Sequence, residues 1–303
     1  MNSQVLRSHL ALLLAMMLWG SSFVAFKVML TDMTPMVVVF LRIAVAAAAF
    51  LVAWPWVRQG FRYRQGDWRY LLAMALFEPC LYFIFESYAL QNTGAGQAGV
   101  ITAMLPLMVA VMAFFVLGER SSARQWTGFG IAVSGVIWMS LSGEENEQAP
   151  NPMLGNFLQL LAMMSAVGYT LLAKQLTRRY SAFFLTAAQS FVGAVFFLPL
   201  ALASDWPTQI PMNSVAILIY LGLGVSLGAY GLFNYALTHL RASVAAGYTN
   251  LLPVFALMFA MLLLNERLTN TQWLAIAVIF AGVVLSYERE PVIPTEIPPA
   301  VTG

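Results

Sequence analysis

The segment FEPCLYFIFES, residues 77–87, places two glutamates, Glu78 and Glu86, in a long run of apolar residues. Only 9% of the chain is charged, so a carboxylate inside such a run needs a physical reason. Ionisable groups in apolar surroundings are costly, and they usually face a charged partner or a water-filled cavity. A third ionisable residue, Arg42, lies inside another apolar run. These three side chains are therefore the first candidates for chemistry.

Glu78 lies about ten residues into its apolar run, with no basic residue expected at the same depth. Pro79 follows it, and proline removes a backbone donor and pushes the preceding residue out of helical geometry. We therefore predict a helix break at Glu78 beside a polar cavity. There the carboxylate could bind a proton, a substrate ammonium group, or each in turn. The structural alternative is a neutral Glu78 that is hydrogen-bonded to a neighbouring helix.

Arg42 and Glu86 are expected at similar depths, ~9 Å and ~6 Å from the same edge of their apolar runs at 1.5 Å per helical residue. Consecutive antiparallel helices joined by a short loop tend to be neighbours. We therefore predict an ion pair between Arg42 and Glu86. The functional alternative is that Arg42 recognises a substrate carboxylate while Glu86 orients it.

Aromatic and amide side chains occur in the apolar runs that are expected to surround these groups. Ring faces attract cations, so a cavity that combines rings with a carboxylate would suit an amino acid or an amphipathic organic cation. The same residues could instead pack helices together, and the amides could hold helices through hydrogen bonds. The candidates beyond the three charged residues are Trp19, Phe23, Tyr82, Tyr169, Tyr230, Asn234 and Asn250.

The elements that must position these residues are membrane helices. The chain has 303 residues and is 60% hydrophobic, whereas soluble proteins are about 45–50% apolar. Its apolar blocks approach the length that crosses ~30 Å of hydrocarbon as a helix. We predict an all-α membrane protein with ten transmembrane helices. The spans lie near 10–30, 36–57, 68–90, 97–117, 125–142, 154–174, 182–203, 214–237, 244–264 and 272–287.

Lysine and arginine predict how these helices are oriented, because loops on the cytoplasmic side carry an excess of both. If the amino terminus is cytoplasmic, all fifteen basic residues except Lys27, Arg42 and Arg267 lie on or near that side. We therefore predict a multi-pass protein of the bacterial inner membrane with both termini in the cytoplasm. The proline-rich tail, residues 291–303, is predicted to be disordered.

The sequence also contains an internal repeat. Residues 88–138 align with 235–285 at an offset of 147 residues without a gap. The matched residues include Pro106 with Pro253, Glu119-Arg120 with Glu266-Arg267, Trp126 with Trp273 and, further upstream, Lys27 with Lys174. The repeat predicts two units, 1–145 and 152–288, of five helices each. Because five is odd, the second unit would enter the membrane from the opposite side, as in the inverted repeats of many transporters. Pro106 and Pro253, together with Pro79, are the candidate hinges.

The sequence resembles the bacterial drug/metabolite transporter superfamily, and specifically its ten-span EamA branch. The matching segments are LWGSSFVAFK (18–27), FLRIAVAA (40–47), YALQNTGAGQAGVITAMLPL (88–107), GERSSARQWTGFGIAVSGV (118–136) and their second copies. The resemblance implies a cavity between the repeats, lined by spans 1, 3, 4, 6, 8 and 9. It also implies export of amino acids, nucleosides, other metabolites or toxic organic compounds, without naming the substrate.

These observations favour a secondary transporter that exports a small metabolite, such as an amino acid or an amphipathic organic cation, by alternating access, with proton coupling as an option. No G-x-x-x-x-G-K-[ST] loop is present, so ATP hydrolysis by this chain is not expected. Two histidines and one cysteine are too few for a usual zinc site, and we expect neither metal nor cofactor. The expected partners are a small substrate, the lipid bilayer and protons, but no nucleic acid. The alternatives are a membrane-embedded lipid-modifying enzyme and a scaffold without transport activity.

Overall fold

The computed structural model describes residues 3–57, 64–117, 122–143, 145–177, 179–240 and 248–286. Within these ranges the fold is helical, without a β-strand. The main helical segments are α1 Ser3–Met29, α2 Pro35–Val52, α3 Trp68–Asn92, α4 95–117, α5 Ala123–Leu141, α6 Pro152–Leu176, α7 Ala182–Leu202, α8 212–239, α9 Leu252–Leu263 and α10 Asn270–Ser286. The tail 291–303, the first residues of the ninth predicted span (244–247) and the pair Glu119-Arg120 lie outside the described residues.

Six helices are long and apolar enough to cross a membrane: α1, α2, α3, α6, α7 and most of α8. Parts of α4, with α9 and α10, form shorter apolar helices of 10–17 residues. The prediction of an all-helical membrane protein is therefore confirmed for the described residues. The number of ten crossings stays a prediction.

Polar residues in the loops fix where several helices begin. Ser122 accepts a hydrogen bond from the Gln125 amide at 3.2 Å, and the Gln125 side chain accepts one from the Ser122 amide at 3.0 Å. This reciprocal pair satisfies two donors that the first turn of α5 would otherwise leave without partners. Asn151 and Ser181 cap α6 and α7 in a similar way, each accepting one backbone amide.

The helix ends gather at two opposite ends of the bundle. Lys27, near the end of α1, donates to carbonyl groups at the end of α3, and Asp32, just after α1, accepts from Ser214 at the start of α8. We call this side the Lys27 end. At the other side Asp67, just before α3, contacts Arg179, just after α6, and we call this side the Asp67 end. These contacts make α1 antiparallel to α8, and α3 antiparallel to α6.

The helix contacts have the same pattern in both halves of the chain. The helix α1 packs against α8 and α9, and its counterpart at the offset of 147 residues, α6, packs against α3 and α4. Three contacts join a helix to its own counterpart: α2 with α7, α4 with α9, and α5 with α10. This is the contact pattern of two halves related by an approximate two-fold axis.

Glycines allow α5 and α10 to approach closely. A Cβ atom added at Gly282 would meet the Ala132 amide nitrogen at 2.4 Å, whereas a Cβ atom at Gly130 would meet nothing within 4 Å. We expect Gly282→Ala to lower the free energy of unfolding by about 1–3 kcal/mol, because overpacking forces backbone shifts. Gly130→Ala, on the other side of α5, is the matched control and should be neutral or slightly stabilising. Thermal unfolding in detergent checks both variants, and equal melting temperatures would contradict the close packing.

Candidate functional site

A cavity lies between the two halves of the chain. Its volume is about 70 Å³. The helices α1, α3, α4, α6, α8 and the start of α9 all contribute, as the family resemblance implied, and α2 adds Arg42. The lining residues are Trp19, Ser22, Phe23, Arg42, Glu78, Tyr82, Phe83, Glu86, Thr102, Leu105, Met163, Ala166, Tyr169, Thr170, Tyr230, Phe233, Thr249 and Leu252.

The helix break predicted at Glu78 is confirmed. Glu78 has φ −148° and ψ 116°, an extended conformation inside the π-helical segment Leu76–Leu81 that interrupts α3. The Glu78–Pro79 peptide bond is cis. The Gln189 side chain on α7 donates from Nε2 to the Glu78 carbonyl oxygen at 2.9 Å. A buried amide thus satisfies a backbone group that the helix no longer pairs, as is required at membrane depth.

The Glu78 carboxyl group joins the two halves of the chain at the cavity. Its side chain is buried, and Oε1 accepts a hydrogen bond from the Tyr230 hydroxyl on α8. The Tyr230 ring packs in turn against Trp19 and Tyr169, with ring centroids 5.1 Å and 6.3 Å away. The carboxyl group therefore combines the two predicted situations, since it is bonded to a neighbouring helix and also lines the cavity.

The predicted ion pair between Arg42 and Glu86 is wrong, since no nitrogen–oxygen distance of 4.0 Å or less joins these two described residues. Glu86 accepts instead from the Tyr82 hydroxyl, one helical turn earlier, at 2.7 Å. Arg42 donates from Nε to Ser226 Oγ at 3.2 Å, and its guanidinium carbon lies 4.4 Å from the centroid of the Phe83 ring. Both charged groups still line the same cavity, so a ligand could meet both.

Two of the predicted site residues lie elsewhere. Asn234 is fully buried and donates from Nδ2 to Thr186 Oγ1 on α7 at 3.0 Å. It does not line the cavity, although Tyr230 and Phe233 on the same helix do. Asn250 does not line the cavity either, and its buried Oδ1 has no hydrogen-bond partner among the described residues. The other predicted binding residues all line the cavity: Glu78, Glu86, Arg42, Trp19, Phe23, Tyr82, Tyr169 and Tyr230.

Most of the residues that sequence analysis missed are counterparts of residues on the opposite wall. The offset of 147 residues pairs Phe23 with Thr170 and Phe83 with Tyr230, and all four line the cavity. The other pairs in the lining are Trp19 with Ala166, Ser22 with Tyr169, Glu86 with Phe233, Thr102 with Thr249 and Leu105 with Leu252. Applying the offset to each named residue would have found Ser22, Phe83, Ala166, Thr170 and Phe233. It would not have found Met163 or the pairs Thr102 with Thr249 and Leu105 with Leu252, because none of these residues was named. Gln189, the counterpart of Arg42, would have been found in the same way.

The three prolines occupy different settings. Pro79 lies inside the π-helical segment of α3. Pro106 is the second residue after a 3₁₀ turn, Thr102–Met104, that interrupts α4. Pro253 is the second residue of Leu252–Leu263, in the first helical turn, where its missing amide hydrogen costs nothing. Pro106 therefore follows an interruption of α4, and Pro253 lies at the start of α9, so neither kinks a continuous helix. A hinge role for each proline stays a prediction.

Lys27 and Glu266 lie outside the cavity and satisfy helix ends. The Lys27 ammonium group donates to the carbonyl oxygens of Leu90 at 2.5 Å, Thr93 at 2.7 Å, and Gln148. Glu266 accepts the amides of the first two residues of α4 at 2.7 Å and 2.9 Å. Lys27 thus caps the negative end of α3, and Glu266 caps the positive end of α4, each with the favourable sign of charge.

Replacing Lys27 with methionine should lower the free energy of unfolding by about 1.5–3 kcal/mol, the usual worth of hydrogen bonds to a charged group. Methionine fills similar space but leaves the carbonyl groups at the end of α3 without a donor. Thermal unfolding in detergent measures this loss. Arg69→Met, at an exposed position, is the control and should melt like the unchanged protein. A Lys27→Met protein that melts with the control would show that the cap contributes nothing.

A solved structure has a similar fold. It aligns with 92% of this chain and 96% of its own length at a TM-score of 0.64 and 17% sequence identity. This similarity is evidence for the fold alone.

Among curated proteins, an uncharacterised transporter of Archaeoglobus fulgidus is 29% identical over 96% of this chain and 99% of its own. A probable amino-acid metabolite efflux pump of Escherichia coli K12 is 28% identical over 90% of this chain and 92% of its own.

A family model matches the chain twice, once in each half. The model is that of the EamA-like transporter family, and it covers residues 6–141 and 153–287. The two matches together take in nearly all of the helical part. The two curated relatives described above are named as a transporter and as an efflux pump. The chain is therefore a membrane transporter that belongs to the EamA-like transporter family.

Proposed function

We propose that this protein exports a small amino acid or related zwitterion by alternating access, in exchange for protons. The observation that carries the proposal is the charge pattern of the cavity between the halves. One guanidinium group, from Arg42, and two carboxyl groups, from Glu78 and Glu86, line a space whose walls are mainly aromatic and apolar. Transporters built from inverted repeats bind substrate at such a position, near the membrane midplane.

The cavity offers groups for each part of an amino acid. Arg42 uses Nε for Ser226, which leaves its two terminal nitrogens for a substrate carboxylate in the two-pronged geometry that guanidinium favours. Glu86 and Glu78 each use Oε1 for a tyrosine, which leaves an oxygen on each for a substrate ammonium group. The buried Trp19 Nε1 has no hydrogen-bond partner among the described residues, so it adds a donor.

The name of the Escherichia coli relative, a probable amino-acid metabolite efflux pump, supports this substrate class. An amphipathic organic cation is the second candidate. Two carboxyl groups against one guanidinium group, with Trp19, Phe23 and Tyr82 nearby, would also suit a cation on an aromatic surface. The two candidate substrates differ in their need for Arg42. Only the zwitterion has a carboxylate that the Arg42 guanidinium group could bind.

Proton coupling is assigned to Glu78. A carboxyl group at a helix break beside a cavity can hold either a proton or an ammonium group, but not both. Binding of a proton from outside would then release the substrate, and binding of substrate from the cytoplasm would release the proton. Tyr230 would hold the carboxyl group in place through both states, since its hydroxyl donates to Glu78 Oε1.

The topology that fits this function has ten crossings, two inverted five-helix repeats, and both termini in the cytoplasm of a bacterial inner membrane. Three observations support it. The helix α1 is antiparallel to α8 and α3 to α6; the family model matches each half once; and Asp67 and Arg179 meet at the end of the bundle that the basic residues mark as cytoplasmic.

Transport by the purified protein in liposomes tests the function. Labelled amino acids, the corresponding amines without a carboxylate, nucleosides and organic cations are offered with and without a pH gradient. We expect an amino acid to accumulate on the side that the proton gradient predicts, above the level of liposomes without protein. If no member of the panel moves although the protein is folded and inserted, the transport proposal fails, and the enzyme and scaffold alternatives gain. If only cations move, the second candidate replaces the first.

A further inference from the structure

At the Asp67 end, an ion pair joins the two halves of the chain. Asp67 Oδ1 lies 2.8 Å from Arg179 Nη1, and Asp67 Oδ2 accepts from the Tyr180 hydroxyl, also at 2.8 Å. The ion pair connects the start of α3 to the loop after α6. The Asp67 side chain is only 4% exposed, and Tyr180 is buried in one apolar cluster with Leu176 and Tyr230. Because Tyr230 also lines the cavity, this cluster extends from Tyr180, which contacts Asp67, to the cavity wall.

At the Lys27 end, a second contact joins the two halves of the chain. The Ser214 hydroxyl at the start of α8 donates to Asp32 Oδ2 in the loop after α1 at 2.5 Å. Met33, the next residue, and Met29, three residues earlier, are buried in one apolar cluster with Phe83. Phe83 lines the cavity too. This cluster therefore extends from the neighbours of Asp32 to the cavity wall.

The repeat relates the two contacts to each other. The offset of 147 residues carries Asp32 to Arg179 and Asp67 to Ser214. It also carries the apolar layer at one end to the layer at the other: Met29 to Leu176, Met33 to Tyr180 and Phe83 to Tyr230. The same two repeat positions thus form one contact at each end, and each contact joins one half of the chain to the other.

We propose that these two contacts are the closures of the transport cavity, one at each end, and that they open in alternation. The inference rests on the proposed alternating access and adds the residues that control it. When one half rocks against the other, a contact between halves at one end must separate while its counterpart at the opposite end stays formed. Loss of one contact therefore shifts the population toward the state that is open at that end.

A cysteine in the cavity reports which end is open, whether or not a substrate is known. The reporter is Thr170→Cys, because Thr170 lines the cavity, in a background with the buried Cys80 replaced by alanine. A membrane-impermeant thiol reagent is added to vesicles of known orientation from either side. We expect Arg179→Gln to raise the modification rate from the Asp67 end by about 5-fold, as a partly exposed ion pair allows, and to lower the rate from the Lys27 end. Ser214→Ala should do the reverse.

Two further variants separate gating from loosened structure. Arg124→Gln removes another arginine near the Asp67 end, one that donates to the Leu285 carbonyl, and should leave both rates unchanged. Exchanging the charges in Asp67→Arg with Arg179→Asp should restore the original rates. If the modification rates of Arg179→Gln or Ser214→Ala rise from both ends together, or match those of Arg124→Gln, the two contacts are not the closures of the cavity. Such a result would not contradict the proposed transport function. If the rates respond as expected but no solute moves in the liposome panel, the proposed function fails and the closures remain.

Discussion

Replacing Glu78 with glutamine is expected to abolish proton-driven transport while leaving the fold intact. The glutamine side chain keeps an Oε1 atom that can accept from Tyr230, and the main-chain carbonyl that accepts from Gln189 is unchanged. The variant loses the negative charge of Glu78 and the ability to bind and release a proton there, while Glu86 remains available for a substrate ammonium group. Uptake driven by a pH gradient should fall to the level of liposomes without protein. Thermal unfolding is measured alongside, and the melting temperature should change little.

The informative companion measurement is substrate exchange without a pH gradient. If Glu78 couples transport to protons, exchange of labelled for unlabelled substrate can continue in Glu78→Gln although net driven uptake is lost. Glu145→Gln, at an exposed loop position, is the matched control and should keep both activities. Should proton-driven uptake persist in Glu78→Gln, Glu78 is a structural acid held by Tyr230, and the coupling site must be sought at Glu86.

Replacing Arg42 with glutamine is expected to weaken binding of an amino acid by about 10- to 100-fold, the loss of a hydrogen-bonded charged group. The corresponding amine, which has no carboxylate, should bind the variant about as well as the unchanged protein. This difference between two ligands is the core of the prediction, because a general disturbance of the cavity would weaken both. Equilibrium binding of the two labelled compounds to purified protein measures it.

The main competing explanation is that Arg42 only joins helices. Its Nε donates to Ser226 on α8, and its guanidinium group lies over Phe83, so its removal also costs packing. Ser226→Ala removes the hydrogen bond but keeps the charge, and it should bind the amino acid almost normally. If Arg42→Gln weakens both ligands equally and also melts at a lower temperature, a structural role accounts for it and the zwitterion proposal fails.

The lengths of the apolar runs predicted the helices, and Pro79 predicted the interruption of α3 at Glu78. Both features depend on residues that are close in the sequence. Most of the helices begin and end within a few residues of the predicted spans, and side-chain caps fix the starts of α5, α6 and α7. The break at Glu78 could be predicted because the Pro79 ring disfavours a helical conformation for the preceding residue. Most of the residues that line the cavity also form pairs at the offset of 147 residues. The reason is that the two related halves face each other and bring equivalent residues to the same cavity.

The partner of Arg42 could not be predicted in the same way. Depth arguments place Arg42 and Glu86 at a similar height but do not say which side of each helix they face. The helix α2 packs against α8 as well as α3, so Ser226 is within reach. Tyr82, four residues before Glu86, stands on the same helical face and takes the carboxylate. Such choices depend on how helices pack around one another, which depth and periodicity leave open.

The π-helical segments of α3 and α8 occupy equivalent places in the two halves, since the offset carries Leu76–Leu81 into Tyr220–Ala229. Only the first contains a glutamate and a proline; the second has Val225 and Ser226 there. The irregular backbone therefore occurs in both halves, whereas the glutamate and the proline occur only in the first. The second half contributes supporting hydroxyl groups, from Ser226 to Arg42 and from Tyr230 to Glu78. Two identical half-length chains could not place a carboxyl group and its hydroxyl partner at equivalent positions, whereas one chain with two unlike repeats can.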